Sequence, residues 1–346
     1  NSVSIAYSAG AVVVEDCNSG ELLAAASYPS FDLKDYYDRY DELAKSSRNP
    51  LWSRFAMGTY APGSTFKPLT ACAALEEGVI TEDTVFYCEG KQEFYKQEFQ
   101  CLNGKEHGSE NVRTALRDSC NMFFYNTALK LGIDKLDEYA ISFGMGEKTG
   151  VEIAEARGNL SSPDNRENAG GVWRIGDTML TAIGQSDNLY TPLQLANYCS
   201  TVANGGTRYE LHFVKSVISS SSGTVTEKGI TIADNVELSE KTVNTVHQGM
   251  RMVATSGGPA KVFNKINTKV ACKTGTSEVI VNGGKRNNGF LITYAPYDSP
   301  EIAVSSVIEL AGSGSETAQI TAKIIDYWYQ NNTDAKTNQK VGTILP

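Results

Sequence analysis

Strand-like runs lie at both ends of this chain with a helical block between them, and that arrangement limits the fold more than any other feature. Near the start, GAVVVED (10–16) and ELLAAAS (21–27) are apolar runs joined by CNSG, a pattern that predicts a β-hairpin turning on Asn18 and Gly20. Near the end, TKVACKTGT, GFLITYAP and EIAVSSVIEL are strand-like, and NGG (282–284) marks a hairpin turn. HFVKSVIS and GTVTE read as a further strand pair. Strands from both ends can share one core only if the chain returns on itself. The expectation is therefore an α/β (α+β) molecule: one antiparallel sheet assembled from both ends, an α-rich lobe, and a cleft at the seam.

The helical signals have recognisable ends. APGSTFKPLTACAALEEG predicts a helix starting near Ser64 and stopping at Gly78, with Pro68 in the first turn, where its missing N–H costs nothing. NVRTALRDS and MFFYNTALKLG read as two helical pieces broken at 119–121, the second ending at Gly132. DKLDEYAISFG (134–144) is a short helix, and ELSEKTVNTVHQGMRMVA (237–254) and TAQITAKIIDYWYQ (317–330) are longer ones. TPLQLANYCSTVANGG (191–206) has Thr191 as N-cap, Pro192 at the first helical position and glycines at its end. Polar, tyrosine-rich sequence runs to about residue 55, residues 79–110 show little periodicity, and 157–190 reads as loop.

Composition excludes several function classes. The 346 residues suffice for one large domain or two coupled lobes, and 41% apolar with 21% charged residues is an ordinary globular balance. A net charge of −9 argues against a nucleic-acid surface, which needs a basic face. No apolar run reaches the roughly 20 residues that span a bilayer, and no signal peptide is visible. Any membrane anchor is expected outside this chain, whose start at NSVSIAYSAG reads as the middle of something longer.

Three short motifs carry chemistry. Ser64 and Lys67, three apart on a helix, share a face, so a neutral lysine amine can take the serine proton beside the free N–H groups of the helix start. By itself such a pair is more often a solvated helix face. Ser119 and Asn121 lie at the break between helices, where a hydroxyl and an amide two apart can project together; a turn bonding its own backbone gives the same pattern. KTGT (273–276) sits on a predicted strand before a hairpin. There Lys273 offers a fixed cation, Thr274 and Thr276 offer hydroxyls, and Gly275 clears space for a ligand near the backbone. The same KTG at Lys148–Gly150 follows a glycine-rich loop and reads as a turn without a part in the chemistry.

Taken in order, YAPGSTFKP, SCN and KTGT resemble the three active-site motifs of penicillin-binding proteins. GAVVVEDCNSGELLAAASYPSFD is similar to the opening strands of the class B members, and AIGQSDNLYTPLQLANYCSTVANGG to a helix of that class, with Ser186 where members often have glycine. The resemblance covers roughly residues 10–330 and is strongest to the elongation-type penicillin-binding protein 2. It implies a transpeptidase (penicillin-binding) domain over 10–346 after a truncated remnant at 1–9. The α-rich lobe would span about 79–190, and the α/β lobe 10–78 plus 191–330.

The resemblance also implies a reaction. Ser64 would attack the penultimate D-alanine carbonyl of a D-Ala–D-Ala peptide to give an acyl-enzyme, with Lys67 as general base. Lys67 must be neutral to act, and burial with Lys273 nearby would favour that. Ser119 would pass a proton to the leaving D-alanine, and Asn121 would hold Lys67 and the substrate amide. The N–H groups of Ser64 and Thr276 would form the oxyanion hole, and Lys273, Thr274 and Thr276 would bind the substrate carboxylate, with Gly275 between them. A neighbouring stem-peptide amine would resolve the acyl-enzyme, and β-lactams would acylate Ser64 and leave slowly. The implied partners are peptidoglycan stem peptides and a membrane glycosyltransferase of the SEDS type, on the extracytoplasmic face of the bacterial cytoplasmic membrane.

Seven cysteines cannot all pair. If Ser119 and Asn121 face a cleft, Cys120 faces away from it. Cys88, Cys101, His107 and Cys120 form C-x12-C-x5-H-x12-C, a Cys₃His set suited to tetrahedral zinc. A Cys88–Cys101 disulfide and unrelated free thiols are the competing readings. Some elongation-type relatives resemble this in carrying a metal beside the S-x-N motif. The expected Zn²⁺ is structural, pinning 79–110 to residue 120. His212 and His247 have no partner in sequence, and Trp52, Trp173 and Trp328 read as packing residues, Trp173 in a stretch that could border the cleft.

Rival functions share the motifs. A serine β-lactamase must deacylate with water, and no E-x-x-L-N-type loop occurs near 157–190. A D,D-carboxypeptidase differs only in acceptor, and a non-enzymatic β-lactam sensor would keep the pocket alone.

Overall fold

A computed structural model describes residues 9–281 and 283–341. Five strands form the main sheet: β1 (Gly10–Asp16), β2 (Leu22–Tyr28), β3 (Ala271–Val281), β4 (Gly284–Ala295) and β5 (Ile302–Ile308). Their order is β3-β4-β5-β1-β2, every neighbour antiparallel. The first hairpin thus pairs with the last strand, Val13 opposite Ser305, so the two ends of the chain close on one sheet. β1 and β2 turn through Gly20 at φ 76°, a conformation glycine adopts without strain. In the second hairpin Val281 pairs with Gly284; Asn282, the first residue of the expected NGG turn, lies outside the described residues.

The helices that matter to the site are α1 (Lys67–Glu76), α2 (Val112–Asp118), α3 (Asn121–Leu131), α4 (Ile133–Ser142), α5 (Pro192–Ala203), α6 (Glu240–Ser256) and α7 (Ala318–Val341). α5 starts with the expected Thr191 cap, closed by Gln194 in a reciprocal capping box, and is buried along its whole length. It covers one sheet face, where Ala11 and Val13 point; Val12 and Val14 point to the other, against Ala318, Ala322 and Ile325 of α7. Covered on both faces, β5 is buried at every position, and its two serines are satisfied by hydrogen bonds, Ser305 Oγ to Pro192 O and Ser306 Oγ with Thr321 Oγ1. Among the described residues no helix is long and apolar enough to cross a membrane.

Two stretches differ from expectation. Residues 79–110 hold two small antiparallel pairs, Phe86–Cys88 with Gly108–Glu110 and Lys91–Phe94 with Gln97–Gln100. The expected loop 157–190 contains two short helices, Pro163–Asn168 and Ile175–Thr181, too brief to leave a 3.6-residue period. His212 is buried, and His247 is half-buried with its Nε2 2.8 Å from Val202 O. Trp173 does not border the cleft; its indole donates to Thr178 and lies under the Arg166 guanidinium.

Candidate active site

Ser64 lies in a 3₁₀ turn, Gly63–Phe66, that continues directly into α1, so Ser64 and Lys67 share the helix entry. Lys67 through Ala74 are all buried, because α1 runs through the centre of the helical layer. Burial lowers the Lys67 ammonium to about 8, against an opposing pull from Cys120 and Cys101. Lys67 Nζ donates to Ser119 O (2.7 Å), Ser119 Oγ (3.2 Å) and Asn121 Oδ1 (2.7 Å). All three acceptors are neutral, so none of them offsets the cost of burying a charge.

Ser119 can serve Lys67 twice because of its backbone. It closes α2 in the left-handed region, φ 56° and ψ 38°, and α3 begins two residues later. A non-glycine residue held there costs on the order of 1 kcal/mol. Opposite, β3 brings Lys273, whose Nζ donates to Ser119 Oγ (3.1 Å) and Thr274 O (3.0 Å). Lys273 is also fully buried; burial first, then the charge of Lys67, pushes it well below the lysine range. The expected fixed cation is therefore conditional: an anion entering beside it favours the charged form.

Gly275 differs from expectation. A Cβ there would lie 2.5 Å from Pro62 O and 2.9 Å from Thr65 Cγ2, so the space is taken by the serine turn, not by a ligand. That close approach is what sets β3 against Ser64. From the other side Gly184, at φ 71°, lies so close that a Cβ would meet Gly63 O at 2.2 Å, and Gly63 N donates to Gly184 O. The Ser64 turn is thus gripped between two backbones. Just beyond, Ser186 has a left-handed φ of 64°, and its Oγ accepts from Arg166, which also pairs with Asp177 and Asp187.

The resulting cleft has a volume of about 550 Å³ and is lined by Ser64, Ser119, Asn121, Thr274 and Thr276. Sequence reasoning missed other lining residues, among them Asp118, Gln185 and Glu278, although each lies within two residues of a quoted motif. A larger cavity of about 690 Å³ carries Asp134, Asp137 and Asp164 but none of the motif residues. The chemistry belongs to the smaller one. Lys148–Gly150 is elsewhere, with Thr149 tied to Glu155.

Behind Ser119 the four expected metal ligands do converge. The Sγ atoms of Cys88, Cys101 and Cys120 and a ring nitrogen of His107 lie within 4.8 Å of one another. Cys88 and Cys101 Sγ are 3.6 Å apart, Cys101 and Cys120 Sγ 3.9 Å, and Cys88 Sγ is 3.5 Å from His107 Nδ1. Metal–sulfur and metal–nitrogen bonds of the lengths zinc prefers give tetrahedral edges of about 3.8 Å between sulfurs and about 3.6 Å from sulfur to nitrogen. The donor set fits a closed site, and the thiols are not joined in disulfides. The set also touches the cleft: Asn121 N donates to Cys101 Sγ at 3.2 Å, and Asn121 Nδ2 to Gln100 O at 3.1 Å.

The chain is similar in sequence and fold to known proteins. The chain is 31% identical to the peptidoglycan D,D-transpeptidase MrdA of Escherichia coli over 363 residues, covering 95% of this chain and 56% of the relative. It spans about half the length of the curated relatives it matches. Among solved structures, PBP2 of Pseudomonas aeruginosa in complex with WCK 5153 superposes with a TM-score of 0.84 at 30% identity, covering 92% of this chain and 73% of that one. PBP2 of Helicobacter pylori in complex with MreC gives 0.82 at 30% identity, with 93% and 60% covered. Residues 10–326 match the penicillin binding protein transpeptidase domain, and the chain belongs to that family.

Proposed function

We propose that this domain is a serine D,D-transpeptidase that cross-links peptidoglycan stem peptides through an acyl-enzyme on Ser64. One observation carries the reading: Lys67, one helical turn after Ser64, is buried, lowered to about 8 and held by neutral oxygens alone. A neutral amine there accepts the Ser64 proton as Oγ attacks the carbonyl carbon of the penultimate D-alanine. The bond to the terminal D-alanine then breaks, and its nitrogen takes a proton through Ser119 Oγ, which both lysines reach. Asn121 keeps Lys67 in place. The N–H groups of Ser64 and Thr276 are the proposed oxyanion donors, worth about 3–4 kcal/mol each in comparable enzymes. Lys273, Thr274 and Thr276 hold the substrate carboxylate, with Gly275 as the spacer that lets the strand approach. A second stem-peptide amine attacks the acyl carbon, releases Ser64 and forms the cross-link.

The Cys88, Cys101, His107 and Cys120 set is proposed to hold a structural Zn²⁺, supported by its donor chemistry and its distances. Bound there, the metal would supply only cross-linking, because four protein ligands leave no open position. The chain's own residues do the rest: Cys101 and Gln100 hold the backbone and side chain of Asn121. By resemblance the domain serves cell elongation on the extracytoplasmic face of the cytoplasmic membrane. There it would work beside a SEDS-type glycosyltransferase and a scaffold of the MreC kind.

Intact-protein mass spectrometry with benzylpenicillin tests the reading. One persistent penicilloyl adduct, mapped to Ser64, is expected. Rapid turnover of the adduct would mean a β-lactamase, and no adduct at all would overturn the assignment. Cross-linked product from lipid-linked substrate and a polymerase, in place of simple release of D-alanine, separates transpeptidase from carboxypeptidase.

A further inference from the structure

The tyrosine-rich stretch after β2 has no part in the site just described, yet it is built as a surface. Phe31, Tyr36, Tyr37 and Tyr40 form a run of ring contacts, with centroids 5.6 Å (Phe31–Tyr36), 5.3 Å (Tyr36–Tyr37) and 5.6 Å (Tyr36–Tyr40) apart. Their outer members are open to solvent: Tyr37 is 88% exposed and Tyr40 47%. Tyr40 belongs to a short helix, Tyr40–Lys45, whose Leu43 and Ala44 lie on the same face and line a shallow groove with Leu51 and Trp52. Tyr40 thus links the run of rings to the helix face that lines the groove.

The strip is held in place relative to the cleft. Tyr28, where it leaves the sheet, pairs with Gly10, Gly10 with Ile308, Ile308 with Gly289, and Gly289 with Thr276 of the cleft. Tyr28 and Thr276 thus share one row of the sheet, four strand spacings or about 19 Å apart. A second tie runs under the surface. Arg54 donates to the carbonyls of Arg48 and Asn49 and to Glu309, which also accepts from Tyr60; Tyr60 in turn packs on Phe290, the partner of Gly275.

Its chemistry narrows the occupant. Between Phe31 and Trp52, Asp32, Asp35, Asp38, Asp41 and Glu42 stand against Lys34, Arg39, Lys45 and Arg48, so the strip has no basic excess to draw nucleic acid or anionic lipid. Arg39 already pairs Asp35 and Glu42, and Asp32 caps Lys34 N, so Asp38 and Asp41 are the carboxylates beside the exposed rings. Such a surface suits an uncharged, hydroxyl-rich ligand whose ring C–H faces stack on aromatics while its hydroxyls donate to those two carboxylates. We propose that Tyr36, Tyr37, Tyr40 and Trp52 bind the amino-sugar glycan strand from which the stem peptide hangs, at a site separate from the cleft. The proposal rests on the peptidoglycan reading above. It adds a second point of attachment, so a peptide on a long strand reaches Ser64 at raised effective concentration.

The test titrates the whole chain with chitohexaose and with peptide-free glycan strands, following Trp52 fluorescence and ligand-observed NMR. Saturable binding is expected that persists after Ser64 is blocked with benzylpenicillin. Tyr37→Ala/Tyr40→Ala and Trp52→Ala are each expected to weaken it at least tenfold while leaving penicillin acylation within twofold. Conservative Tyr37→Phe/Tyr40→Phe should retain most of it. Absence of binding, or binding untouched by these variants, overturns the proposal. So does the strip instead mediating self-association in light scattering, or capture of neutral phosphatidylcholine vesicles. Penicillin acylation is read in the same samples, so failure of the glycan site is distinguishable from failure of the transpeptidase reading.

Discussion

Lys67 and Lys273 meet on one atom, Ser119 Oγ, at 3.2 and 3.1 Å, and neither side chain reaches solvent. Two ammonium groups sharing one hydroxyl in a buried site disfavour each other, and burial disfavours both. The apo site is thus biased toward holding fewer than two positive charges there, the state a general base requires.

Acylation should therefore rise with pH. Neutral Lys67 becomes the major form only above about 8, so the second-order rate with a fluorescent penicillin should climb roughly tenfold per pH unit below that point and level off above it. At pH 6 it should be about a hundredfold below the plateau. A flat profile between pH 6 and 9 would remove Lys67 from the role of base.

Asn121→Ala should lower acylation by roughly 10²-fold, because Lys67 loses its 2.7 Å acceptor and the hold that fixes its direction. Stability should fall by only about 1 kcal/mol, the usual worth of the lost hydrogen bond to Gln100 O. Stopped-flow acylation and urea denaturation separate the two effects. A loss of activity matched by wholesale unfolding would contradict this division.

Cys101→Ser should reduce thermal stability and acylation together, since Cys101 Sγ accepts from the Asn121 N–H and belongs to the four-donor set. A Tm drop of roughly 5 °C or more is expected, as is about one zinc per chain in unchelated wild-type protein. Metal analysis that finds none would end the zinc proposal.

Glu15 sits wholly buried in β1, with one hydrogen bond from Asn197 and its Oε2 unpartnered. Burial raises its carboxyl to about 8. The folded state then keeps a proton that the unfolded chain has released above about pH 4.5, so stability is full below that value and declines as pH rises toward 8. Glu15→Gln removes the titration. It should raise the unfolding free energy more at pH 8 than at pH 5, by an amount on the order of a few kcal/mol at most. Equal effects at both pH values would mean that Glu15 does not titrate there.

Ser186→Gly should change stability by less than about 1 kcal/mol. Relief of a left-handed serine and loss of the Arg166 hydrogen bond to its Oγ are of similar size and opposite sign. A calorimetric comparison checks the balance, and a large shift either way would show that one effect dominates.

Much of this was legible one segment at a time. The 3.6-residue period and its caps placed α1, α5 and α6; apolar runs bounded by turn residues placed the end strands; the break at 119–121 followed from polar residues between two apolar runs. Those signals are local, written in the spacing of side chains along a few turns. The short helices in 157–190 were not legible, because six or seven residues carry too little period. Gly275 was read as clearance for a ligand, whereas its neighbour is Pro62, more than two hundred residues away.

What the chain's sequence determined alone is which residues could act and which elements carry them: a serine and a lysine one turn apart, a polar break, a strand with KTGT, and three cysteines with a histidine. Only the tertiary structure decided that Lys67, Ser119, Asn121 and Lys273 share a pocket, and that Cys120 closes a donor set directly behind it. The physical reason is that helices and strands form from neighbours in sequence, while burial, the charge state of a lysine and the approach of one backbone to another depend on partners that only chain return brings within 3 Å.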